Sequence, residues 1–413
     1  MTSTQPSPDW RHAMASADAA LPPSALQDVA PPVTVARLEA LVFRVPLRHP
    51  VRTAFGTMHD RPAVLVRAED PDGTVGWGEV WCNFPGCGAE HRARLIETEI
   101  APRLTGRAWP LPGHATRALE RGLRVLALQT GEWGPLASCI AGADIALWDL
   151  AARKAGLPLA RLLGGTAASV PVYASGLNPD AADAAIPRLR AVGYTAFKVK
   201  IGFDAAEDLA LLSRLAGAMA PGEALMADVN QGWDLAAALA MAPALSKLPL
   251  QWLEEPLPAD AAPADWQALA AACTIPLAAG ENLRGLPAFS AAAAAGSLSV
   301  IQPDICKWGG ITGGLAAARA IRAAGRRYCP HFLGAGVGLA ASAHVLAAAG
   351  GDGLLEVDAN DNPLRHTLGT GLPAVSGGRL ALPHGPGLGV TPDLDAARGW
   401  RIDLAEGARR PAA

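Results

Sequence analysis

AFKVKIGFDAAEDLALLSRLAGAMAPGEALMADVNQGWDLAAALAMAPALSKLPLQWLEEP, residues 196–256, holds three short apolar runs separated by two Ala- and Leu-rich helical stretches. Apolar runs of four to eight residues with helical periodicity between them are the signature of βα units. Outward from this stretch the same alternation continues. The runs are Val170–Ser175, Ala196–Ile201, Ala224–Val229, Leu250–Leu253, Ile275–Ala279, Val300–Ile305, Arg327–Phe332 and Leu354–Val357. Eight such runs, with one helical segment in most gaps, are what a (β/α)8-type barrel requires. A doubly wound sheet more often shows fewer strands and an early glycine fingerprint.

The ends of these runs carry charge in order. Run 2 ends with Lys198 and Lys200, run 3 with Asp228 and Asn230, run 4 with Glu254 and Glu255. Run 5 is followed by Glu281 and run 6 contains Asp304. Run 7 contains His331, and run 8 contains Glu356 with Asp358 just beyond it. A single strand-end carboxylate is usually a helix cap or a solvated charge. Seven successive strands with an ionisable group at the same end are a site, because barrel active sites lie at the C-terminal ends of the strands.

Asp228, Glu254 and Glu281 stand on three adjacent strands. Three carboxylates brought to one point repel unless a cation lies between them, and hard oxygen ligands favour Mg2+ over zinc. On strand 4 the choice lies between Glu254 and Glu255, because neighbours in a strand face opposite ways. Lys198 and Lys200 are two apart and face inward together. Each ammonium disfavours the charge of the other, so one is expected to fall in pKa toward neutrality and serve as a base. Across the metal, Asp304 next to His331 fixes the imidazole tautomer and raises its basicity. One base on each side of a cation suits removal of a proton beside a carboxylate.

The bulk properties agree. The chain has 413 residues, half of them hydrophobic, so a large core is easily buried. A net charge of −3 leaves no electrostatic footprint for nucleic acid, and no polybasic run points to a membrane surface. The most membrane-like stretch, Phe332 to Gly351, follows a strand directly and reads as a buried helix. Six cysteines without metal-ligand spacing read as reduced core residues of a cytoplasmic protein. Residues 1–33, rich in Ala, Ser, Pro and Asp, read as a disordered tail, with Met14 as a second candidate start.

Residues 34–160 read as an α+β capping domain, with strands at Val35–Val45, Ala63–Ala68 and Thr74–Trp81. Helices are expected near Glu90–Leu104, His114–Leu126 and Pro135–Ala155. Residues 161–365 make the barrel, and 366–413 are expected to pack back on the cap. Loops Thr53–His59 and Trp81–Gly88 are candidates for the substrate pocket, through Phe55, Met58, His59, Trp81, Asn83 and Phe84. Asn230 is a further substrate-binding candidate. The aromatic rings suit an aromatic hydroxy acid, while Asn83 and His59 suit a polyol; both choices stay open.

The set K-V-K, D-V-N, E-E-P, G-E-N, D-I-C-K-W-G-G and C-P-H, in order, resembles the mandelate racemase branch of the mandelate racemase/muconate lactonizing enzyme family (enolase superfamily). The stretch P-L-R-H-P-V-R-T-A-F-G-T is similar to that branch's capping loop, and the likeness runs from about residue 34 onward. The resemblance implies that Lys200 serves one face of the substrate, and His331 with Asp304 the other. It implies that Glu254, the first of its pair, is the metal ligand, and that Lys198 and Glu356 touch the substrate carboxylate. It implies a homo-oligomer acting on a small carboxylate in carbohydrate-acid catabolism. Asp304 replaces the lysine of the muconate-cycloisomerase branch, which disfavours cycloisomerases. Asn230 replaces the histidine of some acid-sugar dehydratases.

Dehydration of an acid sugar is the favoured outcome, with racemisation or epimerisation of an α-hydroxy acid the alternative. Both start from the same proton abstraction. Two rival classes fit parts of the sequence. Gly336, Gly338 and Ala341 fit a G-x-G-x-x-A dinucleotide fingerprint, as in an NAD-dependent oxidoreductase, but the fingerprint falls late in the chain, and a glycine-rich loop after a barrel strand, near a substrate's anionic group, explains it without a nucleotide. A non-catalytic binding barrel would be expected to lack a base or a ligand, and none is missing.

Overall fold

The computed structural model describes residues 30–53 and 56–404. Most of the expected tail, Met14 and Phe55 lie outside them. Residues 30–33 are described: Ala30 and Val33 are buried, and Val33–Val35 pairs antiparallel with Arg107–Trp109.

The cap is a four-stranded antiparallel sheet in the order Arg401–Ile402, Arg37–Thr53, Gly56–Glu69, Val75–Val80. The Asp72–Gly73 signal is a turn, with Gly73 at φ 85. The first two strands run far beyond the expected ends. After a register shift between Pro46 and Val51 the ribbon resumes, pairing Val51 with Met58 and Thr53 with Gly56. The segment read as loop Thr53–His59 is therefore mostly strand, because a bulge lets pairing continue past a polar, proline-containing break. Helices Gly88–Leu95, Pro112–Thr130 and Trp133–Lys154 cover the cap sheet, the first continuing through a π turn at Ile96–Ile100. Among the described residues Trp133–Lys154 is the one helix long and apolar enough to cross a membrane, and it is almost wholly buried here. It lies directly on Val75–Val80, because a Cβ on Gly78 would collide with the carbonyl oxygen of Gly142.

The barrel strands are Ser169–Leu177, Ala196–Lys200, Ala224–Asp228, Leu250–Glu254, Leu277–Ala279, Val300–Ile301, Arg327–Tyr328 and Leu355–Asp358, numbered 1 to 8 below. Each pairs in parallel with the next through strand 7, and strand 8 pairs with strand 1. Strands 7 and 8 close the ring through the Glu356 N–H to Pro330 O, 3.2 Å. Helices fill the seven gaps between strands 1 and 8. Their starts follow from local chemistry: the Asp204 carboxylate accepts from the N–H groups of Ala206 and Glu207, and Asp234 from that of Ala237. Strand 8 is followed by the short helix Pro363–Thr367.

The final segment divides its contacts. Arg379–Ala381 pairs with the start of barrel strand 1, and Arg401–Ile402 reaches Val42 and Phe43 of the cap. The expected return to the cap is made by the last strand and by residues 387–390, which bond Asp149, Arg153 and Leu157, while the hairpin Val375–Ala381 extends the barrel.

A separate apolar layer plugs the barrel interior: Tyr173, Ala196, Met226, Trp252, Ala278, Val300, Cys329 and Leu354. Alternation along each strand puts the charged side chains one step above this floor. Five cysteines are buried, but Cys87 is exposed on the cap loop, so it is not the core residue expected.

Candidate active site

Register places the charged residues side by side. Lys200 is level with Asp228, and Asp228 with Glu254. Lys198, Lys200, Asp228, Glu254, Asp304, His331 and Glu356 are all buried. Lys198 stands over the Tyr173 ring at 5.4 Å. Its Nζ pairs with Glu254, with Glu356 at 2.7 Å and with Asp228 at 3.7 Å. Burial alone would push Lys198 down. The carboxylates of Glu254 and Glu356 outweigh it and hold the lysine well above its usual range. The fall expected of one lysine in the pair does not occur at Lys198, which ion-pairs with Glu254 and Glu356.

Lys200 donates to the Asn230 amide oxygen, and its Nζ lies 3.6 Å from Asp228. Asn230, Gln231 and Glu255 are the non-glycine residues with left-handed φ among those described, at 49, 64 and 41. All three follow barrel strands 3 and 4, and such backbone strain concentrates at functional sites.

Glu254 accepts from Trp252 Nε1 at 3.0 Å and Gln302 Nε2 at 2.6 Å. Burial pushes it up to about 7, against the pull of Lys198. Glu255 does not point away as strand alternation predicts. The strand ends at Glu254, the backbone turns left-handed, and Glu255 is buried with Asn282 Nδ2 donating to it at 2.9 Å. Burial, then the charges of Glu281 and Asp228, push its pKa well up.

Glu281 lies 2.8 Å from Lys307 Nζ and 3.0 Å from His331 Nε2. Burial opposes its charge, but His331 and Lys307 hold it well below the usual carboxylate range. His331 Nδ1 is 2.7 Å from Asp304. Burial would lower the imidazole, yet Glu281, Glu356 and Asp304 raise it well above its ordinary value. The other Asp304 oxygen accepts the N–H groups of Cys306 and Lys307. Glu356 accepts from Ser175 Oγ, Lys198 and the Phe332 N–H. Burial works against its charge, and Lys198 and His331 keep it ionised.

Among the described residues no three or more His, Cys, Asp or Glu side chains are arranged so as to hold a metal ion. The convergence expected of Asp228, Glu254 and Glu281 is not present in this arrangement. The reason is local: Lys198 draws Glu254 down toward the floor, and Lys307 and His331 draw Glu281 to the other side. In kind and placement the three still fit a divalent cation, being hard-oxygen donors at the same end of adjacent strands.

Several residues escaped the sequence reading. Gln302 shares the parity of Asp304, a signal that was available. Lys307 lies past its strand and carries no periodic signal. Arg61 of the cap pairs with Asp358 at 2.5 Å, both buried. Glu79 of the cap accepts from the N–H groups of Ala335 and Gly338, at 2.5 and 2.7 Å. Burial pushes Glu79 up to about 7. This carboxylate takes the start of helix Gly336–Ala349, where the dinucleotide fingerprint would hold a pyrophosphate. A Cβ on Gly338 would strike the Phe332 ring, so the glycines serve packing. Asn83 donates to Leu333 O at 2.9 Å, tying the cap loop to the barrel rather than standing free.

A barrel with strand-end carboxylates flanked by a lysine and an Asp–His pair, roofed by an α+β cap, defines an enolase-type enzyme. Residues 37–164 match the model of the mandelate racemase/muconate lactonizing enzyme N-terminal domain, and residues 180–397 that of the enolase C-terminal domain-like family. The chain belongs to the mandelate racemase/muconate lactonizing enzyme family, and is an enzyme of the lyase or isomerase kind.

It is 32% identical over 395 residues to D-galactarolactone cycloisomerase of Agrobacterium fabrum, covering 90% of this chain and 99% of that one. It is 35% identical over 209 residues to L-talarate/galactarate dehydratase of Salmonella typhimurium, covering 49% and 52%. Among solved structures, a mandelate racemase/muconate lactonizing enzyme from Bordetella bronchiseptica RB50 shares 56% identity, with TM-score 0.84 and coverage of 89% and 99%. An enolase from Bradyrhizobium complexed with magnesium and mandelic acid shares 30%, with TM-score 0.79 and coverage of 90% and 99%. These relatives do not separate the branches. The expected distance from cycloisomerases is not what they display.

Proposed function

We propose that this enzyme uses Mg2+ to remove the α-proton of a carboxylate substrate and eliminates water from an acid sugar. The observation that carries this reading is the pair of flanks: Lys200 on one side of the carboxylates, Asp304–His331 on the other. Asp228, Glu254 and Glu281 are the residues that would hold the ion, which when bound offsets charge developing on the substrate carboxylate. Lys200 takes the α-proton, and the C–H electrons become the enediolate double bond. The β C–O bond then breaks, and His331 gives its proton to the departing hydroxyl. Its raised pKa suits it to start as the acid. Asn230 orients Lys200, and Lys198 with Glu356 face the substrate carboxylate.

A second reading keeps the first step and changes the leaving group to a ring oxygen of a lactone, as the 32% identity to a D-galactarolactone cycloisomerase favours. A third returns the proton from the opposite face, a racemase, in keeping with the relative holding mandelic acid. Incubation of acid sugars, their lactones and α-hydroxy acids with Mg2+ in D2O, followed by mass and NMR spectra, tests all three. Loss of water supports dehydration, a keto acid formed without loss of water supports ring opening, and α-deuterium with inverted configuration supports racemisation. Bound Mg2+ without reaction or exchange in any substrate would sink the mechanism.

A further inference from the structure

The cap reaches the expected metal ligand Glu281 through one buried lysine. Lys307 is 3% exposed. Its Nζ lies 2.8 Å from Glu281 Oε1 and 3.3 Å from Asn282 Oδ1, and stands 4.7 Å over the ring of Trp81. Trp81 directly follows cap strand Val75–Val80, and its N–H donates to Cys306 O at 3.1 Å. Ser138, on cap helix Trp133–Lys154, donates its hydroxyl to Lys307 O at 3.2 Å. From beneath, Asp304 accepts the Lys307 N–H. The backbone of Lys307 is thus fixed between cap and barrel, and its ammonium bridges an indole face and a carboxylate.

We infer that Lys307 is a positioning residue for Glu281, and that Trp81 holds Lys307 in place, so that seating of the cap sets the divalent-cation affinity of the barrel. This inference rests on the Mg2+ reading above. Partners that grip a metal-ligating carboxylate from behind fix its orientation. An ammonium over an indole is attracted by the ring quadrupole, more strongly when both are shielded from water. Simple charge balance, the bland alternative, requires neither the indole nor the cap.

The test is calorimetric Mg2+ binding to the wild-type chain, Lys307→Met, Lys307→Arg, Trp81→Leu, Trp81→Phe and the Lys307→Met/Trp81→Leu double variant. Lys307→Met is expected to weaken Mg2+ binding by about 10- to 100-fold, the usual effect of losing such a partner. Trp81→Leu should weaken it about threefold to tenfold, the scale of a shielded cation–π contact, with Trp81→Phe recovering most of that loss. The double variant should bind no more weakly than Lys307→Met alone, because Trp81 acts through the lysine. Unchanged or tighter binding by Lys307→Met, or losses that multiply in the double variant, would overturn the inference while the Mg2+ reading stands. Failure of the wild-type chain to bind Mg2+ would overturn both. Should Lys307→Met not fold, the Trp81 pair decides: Leu weaker than Phe supports the coupling, and both equal to wild type refutes it.

Discussion

In the proposed mechanism the lysine flank and the histidine flank each offer one proton carrier, yet they are supported differently. Lys200 ends a five-residue strand and meets a neutral amide, with its nearest carboxylate at 3.6 Å. His331 stands beyond a two-residue strand, with a carboxylate on each ring nitrogen, at 2.7 and 3.0 Å. Strand pairing itself aims the lysine. The imidazole depends on Asp304, which is in turn anchored by two backbone N–H groups. A base aimed by backbone tolerates the loss of a neighbour; one aimed by side chains does not.

The sharpest way to break this comparison is to remove each base. Lys200→Met and His331→Asn should each lower α-deuterium exchange of one substrate configuration by about 10²- to 10⁴-fold, the usual contribution of a positioned base. NMR in D2O reads it, and loss of both configurations from one change would refute two independent flanks. Asp304→Asn comes next. It turns an amide on the Nδ1 side of the ring and disturbs the tautomer, so exchange on the histidine side should fall about 10²-fold, with the lysine side unchanged. The smallest effect belongs to Asn230→Gly, which removes the amide without straining the left-handed backbone. A neutral hydrogen bond contributes about 1 kcal/mol, so kcat on the lysine side should drop less than about tenfold, with KM little changed. A larger drop would mean that Lys200 leans on its neighbour as His331 does.

The site was legible because strand parity and chain spacing are local signals. Lys198 and Lys200 announce a shared face by standing two apart, and the regular return of strand ends orders the rest. What was not legible depends on contacts between distant segments. Arg61 and Asp358 are 297 residues apart, and neither looks like half of a buried pair until the cap is in place. Glu79 gives no sign that it will take over the glycine-rich turn after strand 7. The rise at Lys198 has a related cause: the sequence sets one ammonium beside another, while the fold brings the carboxylates of Glu254 and Glu356 to Lys198. Pairing in strands 6 and 7 also ends at Ile301 and Tyr328, earlier than the apolar runs suggest, leaving Asp304 and His331 on the loops above.

The plugged floor of the barrel has one more consequence. With Tyr173 and Trp252 meeting edge to face at 5.2 Å and six other side chains completing the layer, the barrel is filled beneath the charged residues. If Lys200 takes the α-proton as proposed, its burial would shelter an isotope it carries from the bulk, favouring return to the carbon it left over dilution into solvent.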